Sequence, residues 1–173
     1  MKVISDQKRS IVYYDEQNST YIKIFKPKLI NKLKYFFHLR KYPGDNFNYI
    51  SHRLKELGIP TVEIINFSHY SVTTKKIDGM PLDKYLLLYP NSNILTQYIE
   101  LVLILLKNDI YCGDLSYDNF FVVSGKLVAL DLEDYKIVKF CKKDSQELIR
   151  RLKGKVDLWV YNKIKENYFP KGD

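Results

Sequence analysis

The stretch from residue 110 to residue 135 constrains the fold of this 173-residue chain more than any other part. Two short apolar runs, 120–123 and 127–130, flank a Ser-Gly pair. Runs of this kind around a short turn predict a β-hairpin. Because the two strands match in length, the hairpin is expected to return Asp131 to a position beside Asn119.

Asp114 lies five residues before Asn119, and a tight loop of that spacing can present both side chains to one cavity. Phosphoryl transfer needs a carboxylate for the acceptor hydroxyl's proton and oxygen ligands for Mg²⁺. Asp114, Asn119 and Asp131 together supply both. Asp and Asn are also common in solvated turns. The interpretation therefore depends on whether the rest of the chain supplies matching parts in order.

This pattern resembles the catalytic and metal-binding segments of the protein kinase-like superfamily. The interval from Asp114 to Asn119 matches the catalytic loop, and Asp131 stands where the family keeps its second metal-binding aspartate. The resemblance implies that Asp114 orients or deprotonates the acceptor, and that Asn119 and Asp131 hold Mg²⁺.

The motif details look most similar to small-molecule kinases and bacterial lipopolysaccharide core heptose kinases. The similarity lies in the Gly-Asp-Leu sequence at 113–115 and in the Asn-Phe pair at 119–120. Cys112 replaces the family's usual histidine. Leu132 and Glu133 replace the Phe-Gly pair of protein kinases, which indicates that there is no regulated activation segment.

The resemblance implies an α+β, minimal two-lobed protein kinase-like fold with a small antiparallel-sheet N-lobe and a short helical C-lobe. We expect a single domain over residues 1–173. Its N-lobe covers about 1–73, its hinge about 74–80 and its C-lobe about 81–173. The segment after residue 135 is too short for the large helical substrate lobe of protein kinases.

Residues 2–4, 10–14 and 20–25 predict strands because they are rich in β-branched and aromatic residues. In the third, Lys23 alternates with apolar neighbours. The resemblance implies that Lys23 contacts the nucleotide phosphates, with Lys26 as the alternative. No glycine occurs between Ser5 and Ser10, where a phosphate-binding loop is expected. Side chains of this segment (Ser5, Lys8, Arg9 or Ser10) are candidates for phosphate contact instead.

Residues 27–44 interleave basic and aromatic residues, a pattern that can bind single-stranded nucleic acid. We favour an amphipathic helix with a solvated charged face, ended by Pro43-Gly44. A second helix is expected to start at Asp45 or Asn46. For the partner of Lys23, either Asp45 substitutes for the family's helix glutamate, or the ion pair is absent.

Two strands at 62–67 and 70–77 lead into the sequence Ile-Asp-Gly-Met-Pro-Leu at 77–82. This run is similar to the interlobe hinge of aminoglycoside and related sugar kinases. The resemblance implies backbone contacts to adenine from Lys75 and Ile77, with Thr74 behind the base. It also implies that Phe121 and Leu130 form the floor of the adenine pocket.

A short helix at 83–88 and a long, almost entirely apolar helix at 94–108 are expected next, the latter as the buried centre of the C-lobe. An Asp-x-x-Glu box at Asp144 and Glu147 predicts the start of a further helix.

The net charge of +8 is unevenly placed, with 12 Lys/Arg against 5 Asp/Glu in residues 1–60, 5 against 10 in 61–135, and 11 against 5 in 136–173. Basic ends attract phosphate-rich partners such as nucleotides, nucleic acid or anionic membrane head groups. The two cysteines, Cys112 and Cys141, have no metal-binding spacing, which favours a reducing compartment. We expect a cytoplasmic protein, with a peripheral position at the inner membrane face as a secondary expectation.

The expected function is ATP- and Mg²⁺-dependent phosphorylation of a sugar hydroxyl, in a lipopolysaccharide core heptose kinase-like enzyme with a sugar or glycolipid acceptor. Two alternatives stay open. One is a pseudokinase that acts as a binding module. The other is a small protein or tRNA-pathway kinase that docks a macromolecule on its basic ends, although nucleic acid is the less favoured partner.

Overall fold

A computed structural model describes residues 1–90, 93–137 and 142–169 of the chain. Its N-terminal part is a five-stranded, wholly antiparallel sheet with the strand order β1-β2-β3-β5-β4. The first three strands occur where the sequence predicts them. The bounds are β1 Lys2–Asp6, β2 Ser10–Asp15, β3 Thr20–Phe25, β4 Ile64–Ser68 and β5 Ser71–Lys75.

Two helices connect β3 to β4: α1 Leu29–Phe36 and α2 Pro43–Glu56. The predicted boundary between them is wrong, because Pro43 is the first residue of α2 rather than the end of α1. Proline suits this position, since the first helical N–H needs no partner. The predicted caps at Asp45 and Asn46 are also wrong. Tyr42 is the N-cap, and both polar residues lie inside the first turns of α2.

The C-terminal part is mainly helical, with one small hairpin. The helix α4 is buried along most of its length, as its nearly continuous apolar pattern predicts. The elements are β6 Met80–Pro81, α3 Leu82–Leu88, α4 Ile94–Lys107, β7 Ile110–Cys112, β8 Phe120–Val123, β9 Lys126–Ala129, β10 Tyr135–Ile137, α5 Lys142–Leu152 and α6 Leu158–Tyr168.

The hairpin of β8 and β9 confirms the prediction made from residues 120–130. Ser124 and Gly125 both have positive φ, at 48° and 74°. Two such residues match the twist of the adjoining strands and permit a two-residue turn. At the open end of the hairpin, Leu130 N–H donates to Asn119 C=O at 3.2 Å. This contact brings Asp131 beside Asn119, as expected.

One apolar core joins the sheet to the helices. It includes Phe47, Ile50 and Leu54 of α2 as well as Tyr98 and Leu105 of α4. The shared core fixes α2 against the C-terminal part, so the two parts enclose a cleft of defined shape.

The helix α5 starts at Lys142, so Asp144 lies inside its first turn and the predicted start at Asp144 is two residues late. The side chain of Asp144 lies outside the described residues. None of the described helices is both long and apolar enough to cross a bilayer.

Candidate active site

A cleft of about 430 Å³ lies between the sheet and the β8–β9 hairpin. Its volume is in the range of small-molecule sites. Apolar side chains from both sides form much of its wall, and polar and charged side chains complete the lining. The apolar residues are Val12, Phe47, Val62, Val72, Ile77, Phe121 and Leu130.

The predicted hinge residues Thr74, Lys75 and Ile77 all line this cleft, opposite Phe121 and Leu130. The course of the hinge is fixed by backbone hydrogen bonds, because Lys75 N–H donates to Glu63 C=O at 2.9 Å and Lys76 N–H to Ser19 C=O at 2.9 Å.

Gly79 closes the hinge against β8. A Cβ at Gly79 would lie 2.7 Å from Val122 O. The glycine in the hinge sequence is therefore required by this close backbone approach.

Lys23 lies on β3 and points into the cleft, on the face expected from its alternation. Its Nζ donates to Asp131 Oδ1 at 2.5 Å. The same Nζ is 2.7 Å from Glu133 Oε2. Glu133 Oε2 is buried, and this ion pair with Lys23 is its one polar contact among the described residues. Lys23 therefore bridges two carboxylates.

The interpretation that Asp45 pairs with Lys23 is wrong. Asp45 binds His69 Nδ1 at 2.9 Å, and Glu56 pairs with Arg53 at 3.0 Å. The alternative Lys26 pairs with Asp6 instead, at 2.8 Å.

Glu133 takes the place that the resemblance assigned to a helix glutamate. In the sequence, Glu133 was noted only because it stands in place of the glycine of the protein kinase Phe-Gly pair after Asp131. The negative charge of Glu133 was the signal that could have identified it as a partner of Lys23, since a carboxylate two residues after Asp131 lies in the same turn.

Burial and the neighbouring charges together shift the pKa values of Lys23 and Glu133. Burial by itself opposes the charge on Lys23, but Asp131 and Glu133 outweigh it and raise the lysine's pKa, so Lys23 is a cation at neutral pH. Burial raises the pKa of Glu133 above its usual value, and the attraction of Lys23 offsets that effect only in part. A cation held among carboxylates in a cleft is suited to phosphate oxygens.

The loop after β7 holds Asp114, which lies outside the lining of the cleft and is linked to it through Asn119. The Asp114 carboxylate accepts hydrogen bonds at Oδ1 from Ser116 N–H (3.1 Å) and Ser116 Oγ (2.8 Å). Two hydrogen bonds hold the backbone of this loop: Cys112 Sγ donates to Asp114 C=O at 3.2 Å, and Tyr98 OH donates to Leu115 C=O. Cys112 thus supports the loop at the position of the family's histidine.

A residue that the sequence did not reveal also reaches Asp114. Lys155, from the segment between α5 and α6, donates to Asp114 Oδ1 at 2.8 Å. Burial alone would raise the pKa of Asp114, but the hydrogen bonds from Lys155 and Ser116 outweigh it and hold that pKa below its usual range. No local pattern marks Lys155, because one lysine in a basic C-terminal segment has no distinguishing neighbours.

Asn119 and Asp131 both line the cleft, and their oxygens are suited to Mg²⁺. Asn119 Nδ2 donates to Asp114 C=O and to Ser116 Oγ, both at 3.3 Å, so its Oδ1 is the atom left for a metal. Among the described residues, no group of three or more His, Cys, Asp or Glu side chains could hold an ion. The residues fit an ion that is shared with nucleotide phosphates, as Mg²⁺ usually is.

The segment that replaces a glycine-rich loop is the turn between β1 and β2. Ser5, Gln7 and Ser10 line the cleft. Lys8 and Arg9, which the sequence also offered as phosphate contacts, are not part of that lining; Arg9 lines a separate small pocket. Backbone hydrogen bonding from Gln7 N–H to Ser10 C=O at 2.8 Å closes the turn.

No protein-family model matches the chain, and no curated protein sequence matches it. Solved structures do match. The Rio2 kinase–ADP/Mg²⁺–phosphoaspartate complex from Chaetomium thermophilum has a TM-score of 0.56 at 15% identity, covering 95% of this chain and 61% of that one. The Rio2 kinase from the same organism gives a TM-score of 0.57 at 16% identity, covering 99% and 64%.

These likenesses show the fold: the chain has a protein kinase-like fold, as the sequence analysis expected. The chain spans less than two thirds of the length of either Rio2 structure.

Proposed function

We propose that this protein is an ATP- and Mg²⁺-dependent phosphotransferase with an alcohol acceptor. The observation that supports it is the convergence of Lys23, Asn119 and Asp131 on one cleft, with Asp114 joined to Asn119 by a hydrogen bond. The apolar walls of the cleft provide a place for the base, and the polar and charged side chains of its lining provide a place for the phosphates. The structural match to an ADP/Mg²⁺ complex of Rio2 kinase is consistent with this ligand.

In the proposed reaction, the acceptor oxygen bonds to the γ-phosphorus while the bond to the β–γ bridging oxygen breaks and ADP departs. The hydroxyl proton goes to Asp114, whose Oδ2 has no hydrogen-bond partner among the described residues. Because the pKa of Asp114 is low, its carboxylate first orients the acceptor hydroxyl and accepts the hydroxyl proton only late in the transfer. Lys23 holds phosphate oxygens, and Lys155 lies where it can stabilise charge on the transferred group.

When Mg²⁺ is bound with the nucleotide, it neutralises phosphate charge. Asn119 and Asp131 are the residues that would hold it. Lys23 keeps Asp131 in place through their hydrogen bond.

For the acceptor, we propose a sugar hydroxyl, as in a lipopolysaccharide core heptose kinase. This rests on the resemblance of residues 113–115 and 77–82 to sugar-phosphorylating kinases. A protein acceptor is the second candidate, and the fold likeness to Rio2 kinase favours it. Acceptor pockets vary on a shared fold, so a transfer assay with both kinds of acceptor is needed to choose between them.

The nucleotide site is tested by thermal-shift titration with ATP, with and without Mg²⁺. ATP at about 100 times its Kd should add ~2.7 kcal/mol to the free energy of unfolding. The Mg²⁺-dependent part should vanish in Asp131→Asn and persist in Asp83→Asn, a control on the exposed side of α3. No shift under any condition would contradict the proposal and favour a pseudokinase binding module.

Transfer is tested with γ-labelled ATP and two sets of acceptors, dephosphorylated lipopolysaccharide core oligosaccharide and a mixture of small basic and acidic proteins. Asp114→Asn should bind ATP like the wild type and lose transfer. Label on the oligosaccharide supports the sugar acceptor. Label on protein alone would overturn it in favour of the protein acceptor.

A further inference from the structure

The helix α1 and the residues that follow it expose an unusual amount of apolar surface. Six large side chains here are each between 51% and 76% exposed. The sequence predicts an amphipathic helix with a solvated charged face, and in the structure its apolar side chains are exposed as well. A contiguous exposed apolar patch on a folded domain usually marks an interaction site. The six residues, called the α1 surface below, are Leu29, Ile30, Leu33, Phe36, Phe37 and Leu39.

The helix is anchored by its other side. With ~100° of rotation per residue, one apolar stripe about 120° wide is formed by Leu29, Ile30, Leu33, Phe36 and Phe37. Tyr35 lies on the opposite side of the axis. Tyr35 is the buried residue of α1 and packs at 5.3 Å between ring centroids against Tyr42. The fold therefore holds α1 by Tyr35 and presents the apolar stripe outward.

Cations flank this stripe. By the same rotation, Lys32 and Lys34 lie on its two sides. Residues 26–42 contain six Lys/Arg and no Asp/Glu. Lysines beside an apolar stripe can lay their methylene stems along it while the ammonium groups stay in a polar layer.

The positive charge continues from α1 onto the neighbouring β10 and α5. Lys136 Nζ and Arg151 Cζ each lie 5.8 Å from the centre of the Tyr111 ring. Burial lowers the pKa of Lys136, and the nearby cations Arg40, Lys34 and Arg151 lower it further, while Asp134 acts in the opposite direction. Lys34 thus connects the α1 surface to a basic cluster contributed by three other parts of the chain.

We propose that the α1 surface is a docking site for an anionic lipid bilayer, with the apolar stripe at the acyl boundary and the lysines at the head groups. A short apolar stripe flanked by lysines on the exposed side of a helix is typical of an interfacial helix. The bilayer's negative surface potential complements the cluster.

Other occupants fit less well. A second copy of the chain would bring two basic surfaces together without an acidic counterpart in residues 26–42. Nucleic acid would be attracted by the lysines and could stack on Phe36 or Phe37, but it would leave the aliphatic Leu29, Leu33 and Leu39 without a role. The proposal does not depend on the proposed phosphotransferase activity.

Vesicle co-sedimentation tests the proposal. We expect the protein to bind vesicles of phosphatidylcholine with 30% phosphatidylglycerol, and to bind pure phosphatidylcholine vesicles at least roughly tenfold more weakly. Leu33→Ser combined with Phe37→Ser should reduce binding to the anionic vesicles by roughly tenfold or more. Lys34→Glu should reduce it too and weaken its dependence on salt.

Matched controls are available at equally exposed positions elsewhere. Leu87→Ser, on α3, removes a side chain that is 83% exposed, and Lys163→Glu reverses an exposed charge on α6. Both should leave vesicle binding unchanged. Because all these positions are exposed, the variants should unfold at the wild-type temperature, which a thermal melt checks.

Three results would overturn the proposal: no binding to anionic vesicles, equal loss in the controls, or vesicle binding that survives Leu33→Ser with Phe37→Ser. A titration with single-stranded RNA tests the alternative that this surface binds nucleic acid. RNA binding that is lost in Lys34→Glu and kept in the apolar double variant, without vesicle binding, would assign the surface to nucleic acid. A self-association that the double variant abolishes, without vesicle binding, would assign it to a second copy.

Discussion

Glu133 Oε2 lies 2.7 Å from Lys23 Nζ, so the carboxylate that orders this lysine follows Asp131 in the same turn. In protein kinases the corresponding glutamate comes from a helix that can move. Here the helix at that place in the chain, α2, supplies no carboxylate to Lys23 and instead binds the backbone around Glu133. Asn46 Nδ2 donates to Tyr135 C=O at 2.9 Å and to Glu133 C=O at 3.4 Å. The lysine partner and the proposed metal carboxylate are therefore positioned by one short segment.

This arrangement predicts that Glu133→Gln weakens ATP binding about tenfold, or about 1.4 kcal/mol, because the variant removes one of the two ion pairs of Lys23. Lys23 keeps only Asp131 as a charged partner in this variant and is held less firmly for the phosphates. Calorimetric titration measures the change. Glu63→Gln, in the exposed pair with Lys75, is the matched control and should bind ATP like the wild type.

The same variant gives a prediction for the pH dependence of stability. The folded protein raises the pKa of Glu133 above 4.5, so it binds this proton more tightly than the unfolded chain does. The contribution of Glu133 to stability is therefore present below pH 4.5 and declines as the pH rises through the folded pKa. Melting temperatures of Glu133→Gln relative to wild type should be higher at pH 7 than at pH 4. The opposite trend would show that the ion pair outweighs burial.

Lys155 is predicted to assist transfer rather than nucleotide binding. Lys155→Met should lower kcat by about 100-fold, the usual loss for one donor that stabilises transition-state charge, with ATP affinity unchanged. Because Lys155 helps hold the pKa of Asp114 down, its removal should move the acidic limb of the kcat/KM profile to higher pH. Lys153→Met, two residues earlier in the same exposed segment, should alter neither quantity.

Gly44 is predicted to be essential for stability. A Cβ at this position would lie 1.9 Å from Ser68 O, where α2 crosses the turn between β4 and β5. Gly44→Ala should therefore destabilise the fold by about 3 kcal/mol, measured by urea unfolding. Gly113→Ala is the control, because its nearest contact would be 3.7 Å, to Asp134 Cβ. Equal losses in the two variants would contradict the packing argument.

Cys112 should be unreactive in the folded protein. Burial raises its pKa to about 12, so almost no thiolate exists at pH 8. In a Cys141→Ser background, a thiol reagent at pH 8 should label Cys112 only after denaturant is added. Rapid labelling of the native protein would show that the loop below Asp114 opens readily.

Local sequence patterns predicted much of the fold because they depend on neighbouring residues. Alternation placed Lys23 on the cleft face of β3, and the Ser-Gly pair set the register that returns Asp131 to Asn119. Helix boundaries were less accurate, because Asp45 and Asn46 have the chemistry of caps but are used for contacts with other elements. His69 and the carbonyl groups near Glu133 compete for those side chains.

The sequence by itself determined the order of the elements and the positions of Asp114, Asn119 and Asp131 in one loop and hairpin, since strand period and turn chemistry are local properties. Tertiary structure alone decided that Glu133 pairs with Lys23, that Lys155 reaches Asp114, and that α1 is held by Tyr35 with its apolar stripe outward. Each of these joins segments distant in the chain. Such pairings follow from how the sheet and helices pack around their shared core, and no spacing within a single segment encodes them.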